Sequence, residues 1–369
     1  MFSAAGRFVL RFYSVFFSLA LQHSPPSSLT CGALDHARLL AAPDRLSSGT
    51  ENGEFEDAEW WERHGDLLAA ARREWGQRHP TLYELEANED RYLNPRIIEA
   101  VRAVEAAAAE GRAVDEAPLR ALFSPAGAPG VWRFPLFTQS FCNDLLEEIQ
   151  AAEESGVPLR RPNGMNRFGA ILEEVPGGLG FEKSLAFLSR RFLRPLSQML
   201  FPHLVAIGDA DDHYGFVVRY RVGEDVSLAG HADASVATLN VNLGIEGFVG
   251  GALEFRGTRF IEDNPQDKPP SQVDFAHFHP GEAILHLGGQ HHAALPLLSG
   301  ERVNLVIWLF GEHGTVRVAP YSEREQLKAE QRWGNSTSTP PHPQDHPFHA
   351  SGASAVWDAG LTREDLEHV

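Results

Sequence analysis

A chain of 369 residues with 43% hydrophobic, 22% charged and 10% aromatic residues has enough apolar content for one large core or two smaller ones, which argues against wholesale disorder. Its formal net charge of −18 disfavours binding to a phosphate backbone, which rests largely on Lys and Arg, so no nucleic-acid partner is expected. Only Cys31 and Cys142 are present, in no CxxC pair; a disulfide framework and a cysteine-ligated metal site are excluded, and any metal must rest on histidine and carboxylate.

Residues 1–34 hold no acidic residue, and Arg7 and Arg11 precede the apolar run "FYSVFFSLAL". The run suits the apolar core of a signal peptide and is too short for a membrane span. A cleavable signal or transit segment is one expectation; an apolar tail, disordered or locally packed, in an otherwise cytoplasmic protein is the other. No other stretch is long and apolar enough to cross a bilayer, so no stable membrane span is expected.

Residues 56–125 predict a helical N-terminal region: "WWERHGDLLAAARREW" has apolar residues at helical spacing, and "NPRIIEAVRAVEAAAAEG" has Asn94 as cap, Pro95 in the first turn and Gly111 as stop. The turn-rich "SPAGAPG", residues 124–130, reads as a boundary. Two further helices are predicted, "FCNDLLEEIQAAEESG" ended by Gly156, and "EKSLAFLSRRFLRPLSQMLFP", which Pro195 should kink or split.

From Tyr214 the period changes from 3.6 to 2, through "YGFVVRYRV", "SVATLNVNLG", "GALEFRGTRF", "GEAILHLG" and "RVNLVIWLF". Short strands with turn chemistry between them predict two facing antiparallel sheets, a jelly roll (double-stranded β-helix) over residues 210–311. The fold class is thus mainly β, with an α-helical N-terminal region and flanking helices. After Phe310 one helix is predicted in "SEREQLKAEQRW", and residues 334–369 are expected to be a disordered tail, whose His342, His346 and His349 read as solvated loop residues.

In "GHADASVATLNVNLG", His231 and Asp233 are two positions apart, so in an extended chain they point to one face, as a metal pair or as a plain hydrogen bond. Candidates for a third ligand are His292, His291 and His286, between which the strand period does not choose. Two histidines and a carboxylate would form a facial triad with open coordination positions. Arg302, ten residues after His292 and across a turn at Ser299 and Gly300, suits a carboxylate of a dicarboxylic cosubstrate, and Tyr220 could donate to the same acid. An ion pair at a strand start and an ordinary core tyrosine are the bland alternatives for these two. Thr238, Asn240 and Asn242 share a face that is out of phase with Asp233. Either a turn near Ala234 and Ser235 resets the phase, or the Asn row faces solvent.

The order "FVVRY…GHAD…TLNVNLG…GGALEF…HPGEAILHLGGQHHAALPLLSGERVNLVIW" resembles the catalytic domain of the 2-oxoglutarate- and iron(II)-dependent dioxygenases, within their prolyl and lysyl hydroxylase branch. "WRFPLFTQSFCNDLLEEI", "RPNGMNRFGAILEE" and "RRFLRPLSQMLFP" are similar to the stand-alone 2-oxoglutarate and iron-dependent oxygenase domain-containing proteins, and the resemblance covers residues 130–312. It implies His231, Asp233 and His292 on Fe(II), with His292 favoured over His291 by its place before "AALP…SGER". It further implies Arg302 on the distal carboxylate of 2-oxoglutarate, Tyr220 and Asn240 as further cosubstrate residues, and Asn166 as a looser match. The activity implied is hydroxylation of a protein or peptide side chain with release of succinate and CO2, and L-ascorbate as reductant. The insert "DNPQDKPPSQV" and the helical N-terminus depart from the better-studied hydroxylases and would shape substrate entry. A catalytically weak or inactive 2-oxoglutarate-binding or interaction protein and a zinc hydrolase are the alternatives; substrate identity and oligomeric state stay open at this level.

Overall fold

Helix α1, Ala58–Trp75, buries Trp61, Leu68 and Ala71, spaced to fall on one stripe of its surface. The computed structural model that shows this describes residues 58–310 apart from 76, 164, 202–212, 234, 245–246 and 258–270. The expected targeting segment, most of the "DNPQDKPPSQV" insert, the C-terminal helix and the tail with its three histidines lie outside the described residues.

Helix α2, Pro95–Ala109, starts where the Asn94 side chain accepts from the Arg96 N–H at 3.1 Å and is followed by Gly111 at φ 65°. Ile97, Ile98 and Val101 form its buried face. The "SPAGAPG" run closes a hairpin between β1, Ser124–Pro125, and β2, Val131–Pro135, and β2 is part of the large sheet. The Pro and Gly chemistry that suggested a boundary here makes a tight connection instead, with Gly127 and Gly130 at positive φ. Helix α3, Gln139–Glu154, is capped by Thr138 and ends before Gly156.

The segment containing Pro195 is neither straight nor cut. Helix α4, Glu182–Leu188, passes through a π turn at Ser189–Leu193 into α5, Arg194–Leu200. Proline lacks an N–H and its ring clashes with the carbonyl four residues back, and the wider π turn takes up that misfit.

The remaining strands are β3 (Gly169–Ile171), β4 (His213–Arg221), β5 (Leu228–His231), β6 (Ala237–Asn242), β7 (Val249–Gly250), β8 (Leu253–Gly257), β9 (Ser271–Val273), β10 (Glu282–Leu287), β11 (His291–Ala294), β12 (Leu297–Ser299) and β13 (Glu301–Leu309). The large sheet runs β1-β2-β10-β6-β13-β4-β3 and the smaller one β5-β11-β8-β9, with β7 and β12 paired separately. All these pairs are antiparallel.

Alternation along the strands divides the core in two. Leu239, Val241, Leu285, Leu305 and Ile307 pack outward in one cluster with helix residues such as Ile97, Leu145, Leu185 and Phe192. The opposite face places Phe216, Ile284, Val306 and Trp308 against Leu253, Phe255 and Val273 of the smaller sheet. Two sheets sharing an inner core, with helices covering the back of one, is the jelly-roll arrangement with flanking helices. Each fully buried Leu contributes about 1.5–3 kcal/mol, so the helical layer stabilises the sheet from behind. Among the described residues, no helix is long and apolar enough to cross a membrane.

Register sets the inner face. Arg302 is opposite Tyr220, Val306 opposite Asn240, Asn304 opposite Asn242, and Trp308 and His286 both opposite Thr238. The Asn row therefore faces the interior and not solvent. His231 ends a strand of the smaller sheet while Ala237 begins one of the larger, so the two residues belong to different sheets and the strand phase of one does not carry to the other.

Candidate metal centre

His231 and His292 are direct partners across the β5–β11 pair, with ring centroids 4.4 Å apart. Asp233 comes to them from between β5 and β6, where its N–H donates to the Gly288 carbonyl at 2.9 Å. A Cβ on Gly288 would lie 1.9 Å from the Ser235 carbonyl oxygen, so glycine is what permits this approach. One ligand atom from each of the three residues lies within 4.8 Å of the others.

The orientation of these groups suits a cation. His231 Nδ1 lies 2.8 Å from the Ala229 carbonyl and His292 Nδ1 lies 2.8 Å from the Gln290 carbonyl, which assigns each Nδ1 as the N–H donor and leaves Nε2 as a lone pair. Those Nε2 atoms stand 3.4 and 3.7 Å from Oδ1 and Oδ2 of Asp233, wide for hydrogen bonds and close to the separation of about 3 Å between neighbouring ligands on one metal. The Thr238 hydroxyl donates to Asp233 Oδ2 at 2.6 Å. Burial brings His292 down to about 3, against the opposing pull of Asp233, and so keeps it a neutral lone-pair donor. Burial would raise the Asp233 carboxyl, but the surrounding His292, His231 and His286 outweigh it and hold the group well below the usual range.

The other two histidine candidates do not join this group. His291 alternates to the other face of β11, over Gly230, where a Cβ would meet its Cε1 at 2.9 Å. His286 is fully buried on β10, its ring 5.0 Å from that of His292, with Nδ1 on the Leu287 carbonyl at 2.8 Å.

Farther along the inner face, Arg302 is 2% exposed; it donates to the Gly251 carbonyl and stands 4.6 Å from the Tyr220 ring centroid. No described carboxylate is within ion-pair distance of it, and its Nε has no hydrogen-bond partner. Asn166 sits behind Tyr220, donating from Nδ2 to the phenol oxygen at 3.2 Å, which leaves the phenolic hydrogen available to another acceptor. Asn240 accepts from Asn304 Nδ2 at 2.6 Å. Thr238 and Asn304 were not among the sequence-predicted site residues. The signal for Asn304 was present, since it lies two positions from Arg302 on one strand, but a single polar residue in "RVNLVIWLF" does not announce a role.

A second group of possible ligands, Glu173, Glu182 and His213, stands apart from this centre. Glu173 Oε1 accepts from the Gly215 N–H at 2.6 Å, and its carboxyl is pushed well up by burial, with Glu182 beside it adding to the effect. His213 Nε2 stands 3.6 Å from Glu173 Oε2 and 4.0 Å from Glu182 Oε1.

Comparison with known proteins gives the same picture. The OGFOD2-like domain matches residues 72–206. A human protein, 2-oxoglutarate and iron-dependent oxygenase domain-containing protein 2, is 43% identical over 180 residues, 48% of each chain. Human procollagen-lysine,2-oxoglutarate 5-dioxygenase 1 is 32% identical over 180 residues, covering 47% of this chain and 23% of that protein. The chain spans about half the length of the oxygenase-domain relatives it matches first. A crystal structure of a Pseudomonas putida prolyl-4-hydroxylase aligns over 58% of this chain and 99% of that one, at 15% identity and a TM-score of 0.35; the fold rests on the strand order above and not on this alignment. In sequence the chain is similar to the 2-oxoglutarate and iron-dependent oxygenase domain-containing proteins, of which protein 2 of Danio rerio is 34% identical over 245 residues, 66% of this chain and 65% of that one, and the strand order and the His–Asp–His group agree with that likeness.

Proposed function

We propose that this protein is an Fe(II)- and 2-oxoglutarate-dependent dioxygenase that hydroxylates a protein or peptide side chain and releases succinate and CO2. The observation that carries the reading is the coexistence, in one two-sheet core, of a convergent His–Asp–His group and a buried Arg302 that no described carboxylate reaches at ion-pair distance, Asp274 acting on it only from farther off. A buried guanidinium with no described carboxylate at ion-pair distance is costly, and a dicarboxylate entering from the metal side would offset that cost.

In this reading His231, Asp233 and His292 would hold Fe(II). The bound metal and cosubstrate together supply the oxidising power for a C–H bond. The protein's part is orientation and exclusion of water. Arg302 holds the distal carboxylate, Tyr220 donates its phenolic hydrogen to the same ligand, and Asn166 keeps that phenol turned inward by donating to its oxygen. Asn240 borders the space between the two ends. The apolar wall of Phe216, Val306, Trp308 and Phe255 lowers the local dielectric, which strengthens each of these contacts. Ascorbate is the reductant expected to keep the iron ferrous.

The relative named for procollagen-lysine hydroxylation supports a peptidyl substrate. A zinc hydrolase would have no use for Arg302. The test is succinate formation dependent on both iron(II) and 2-oxoglutarate, followed by trapping of substrate on an Asp233→Ala protein and mass spectrometry for the gain of one oxygen. Metal-independent behaviour, or turnover with zinc and water alone, would overturn the proposal.

A further inference from the structure

The ligand expected in this pocket is an acceptor only: carboxylate and keto oxygens take hydrogen bonds and give none. Each polar wall group must therefore present a donor, and a side-chain amide does so in only one of its two orientations. Asn240 is such a group, and its neighbour decides which way it turns. Asn304, fully buried on β13, donates from Nδ2 to Asn240 Oδ1 at 2.6 Å. With its oxygen engaged by Asn304, Asn240 has its own NH2 left to donate to another acceptor.

Two further observations point to a ligand here. Along the inner face, Thr238, which holds Asp233, is two positions from Asn240 on β6, and Asn304 is two positions from Arg302 on β13. The amide pair thus lies between the metal group and the arginine, where a dicarboxylate spanning them would pass. Arg302 Nε is also a buried donor without a hydrogen-bond partner on this same wall. Asn242, the other amide of the row, is engaged by the fold: it donates to the Phe278 carbonyl at 3.2 Å and accepts from the Gly244 N–H at 3.0 Å. The wall repeats the logic of the opposite side, where Asn163 donates to Asn166 at 3.1 Å and Asn166 donates to Tyr220.

We infer that Asn304 is a positioning residue that orients the amide of Asn240 with its NH2 toward the cosubstrate, an inference that rests on the 2-oxoglutarate reading above. Asn304 acts through Asn240, not on the metal. Replacing it by Leu, of similar volume but no donor, lets the Asn240 amide turn its oxygen into the pocket.

The experiment is calorimetric titration of 2-oxoglutarate into anaerobic, iron(II)-loaded wild-type protein, Asn304→Leu, Asn240→Ala and the double variant, with metal content and melting temperature measured on each. Asn304→Leu is expected to weaken 2-oxoglutarate binding about tenfold, the scale of one hydrogen bond to a charged group, with metal content unchanged. In the Asn240→Ala background the same substitution should cost nothing further, because the group it positions is gone. In steady-state kinetics KM for 2-oxoglutarate should rise while kcat stays within about twofold. If Asn304→Leu fails to fold, Asn304→Ala carries the same cycle. Wild-type affinity in the Asn304 variant, or losses that simply add in the double variant, would overturn the inference and leave the oxygenase reading standing. Wild-type protein that takes up iron yet binds no 2-oxoglutarate would instead overturn the oxygenase reading itself, and the inference with it.

Discussion

Thr238 donates its hydroxyl hydrogen to Oδ2 of Asp233 at 2.6 Å, and through this bond the first turn of a strand in the large sheet holds a carboxylate that arrives on a connection between sheets. The same oxygen faces His292 Nε2 at 3.7 Å, so losing the hydroxyl frees the carboxylate to rotate. Thr238→Val keeps the shape of the side chain and removes the donor. Iron(II) affinity should fall about ten- to a hundredfold, the usual effect of losing a partner that orients a metal ligand. Thr238→Ser should recover most of it. Metal titrations of the two variants that give equal affinities would count against this role.

The three converging residues should be jointly required for metal. His231→Ala, Asp233→Ala and His292→Ala are each expected to lose bound iron(II), because a facial triad without one ligand loses affinity and geometry together. His291→Ala should keep it, since that side chain lies on the other face of its strand. Metal analysis after anaerobic loading measures this, and an iron-free His291→Ala protein beside an iron-replete His292→Ala would reverse the assignment.

Arg302→Ala should weaken 2-oxoglutarate binding by about 1.5–3 kcal/mol, the range for a hydrogen bond to a charged group. That is roughly a ten- to hundredfold rise in the concentration required. Arg302→Lys should retain part of the affinity, keeping the charge but not the two parallel bonds. Iron content should be unchanged in both, because the metal group is built from other residues. Unaltered affinity in Arg302→Ala would remove the main support for a dicarboxylate cosubstrate.

Glu173 supplies a pH prediction away from the metal. Its carboxyl is raised well above the ordinary 4.5 by burial, with Glu182 adding to it. The folded state therefore binds a proton more tightly than the unfolded chain. The associated stability is full below about pH 4.5 and is lost as pH rises toward the elevated folded value. Glu173→Gln keeps an acceptor for the Gly215 N–H and has nothing to ionise, so its denaturation midpoint should fall less across that interval than that of the wild type. Parallel midpoint-against-pH curves for the two proteins would exclude Glu173 as the source.

Much of the architecture was legible because its causes are local. The capped helix after Asn94, the glycine stops at Gly111 and Gly156, and the alternation in "YGFVVRYRV" and "RVNLVIWLF" each follow from backbone preferences or from one buried face, and each appears where the pattern placed it. The same local chemistry misled at "SPAGAPG", because a turn of Pro and Gly looks alike whether it leads to a new domain or back into the same sheet.

The candidate site divides along the same line. By itself the sequence determined which residue types were available, that His231 and Asp233 were near neighbours, and that Arg302 followed His292 at a strand start. Strand period left three histidines open and the resemblance favoured His292; the tertiary structure gives the physical reason that His292 meets Asp233, the pairing of β11 with β5 between residues 61 positions apart. It also decided that the Asn row faces the interior. Strand phase is a property of an unbroken extended chain, and β5 and β6 lie in different sheets, so the facing of Asn240 is set by which sheet β6 joins and not by its distance from Asp233.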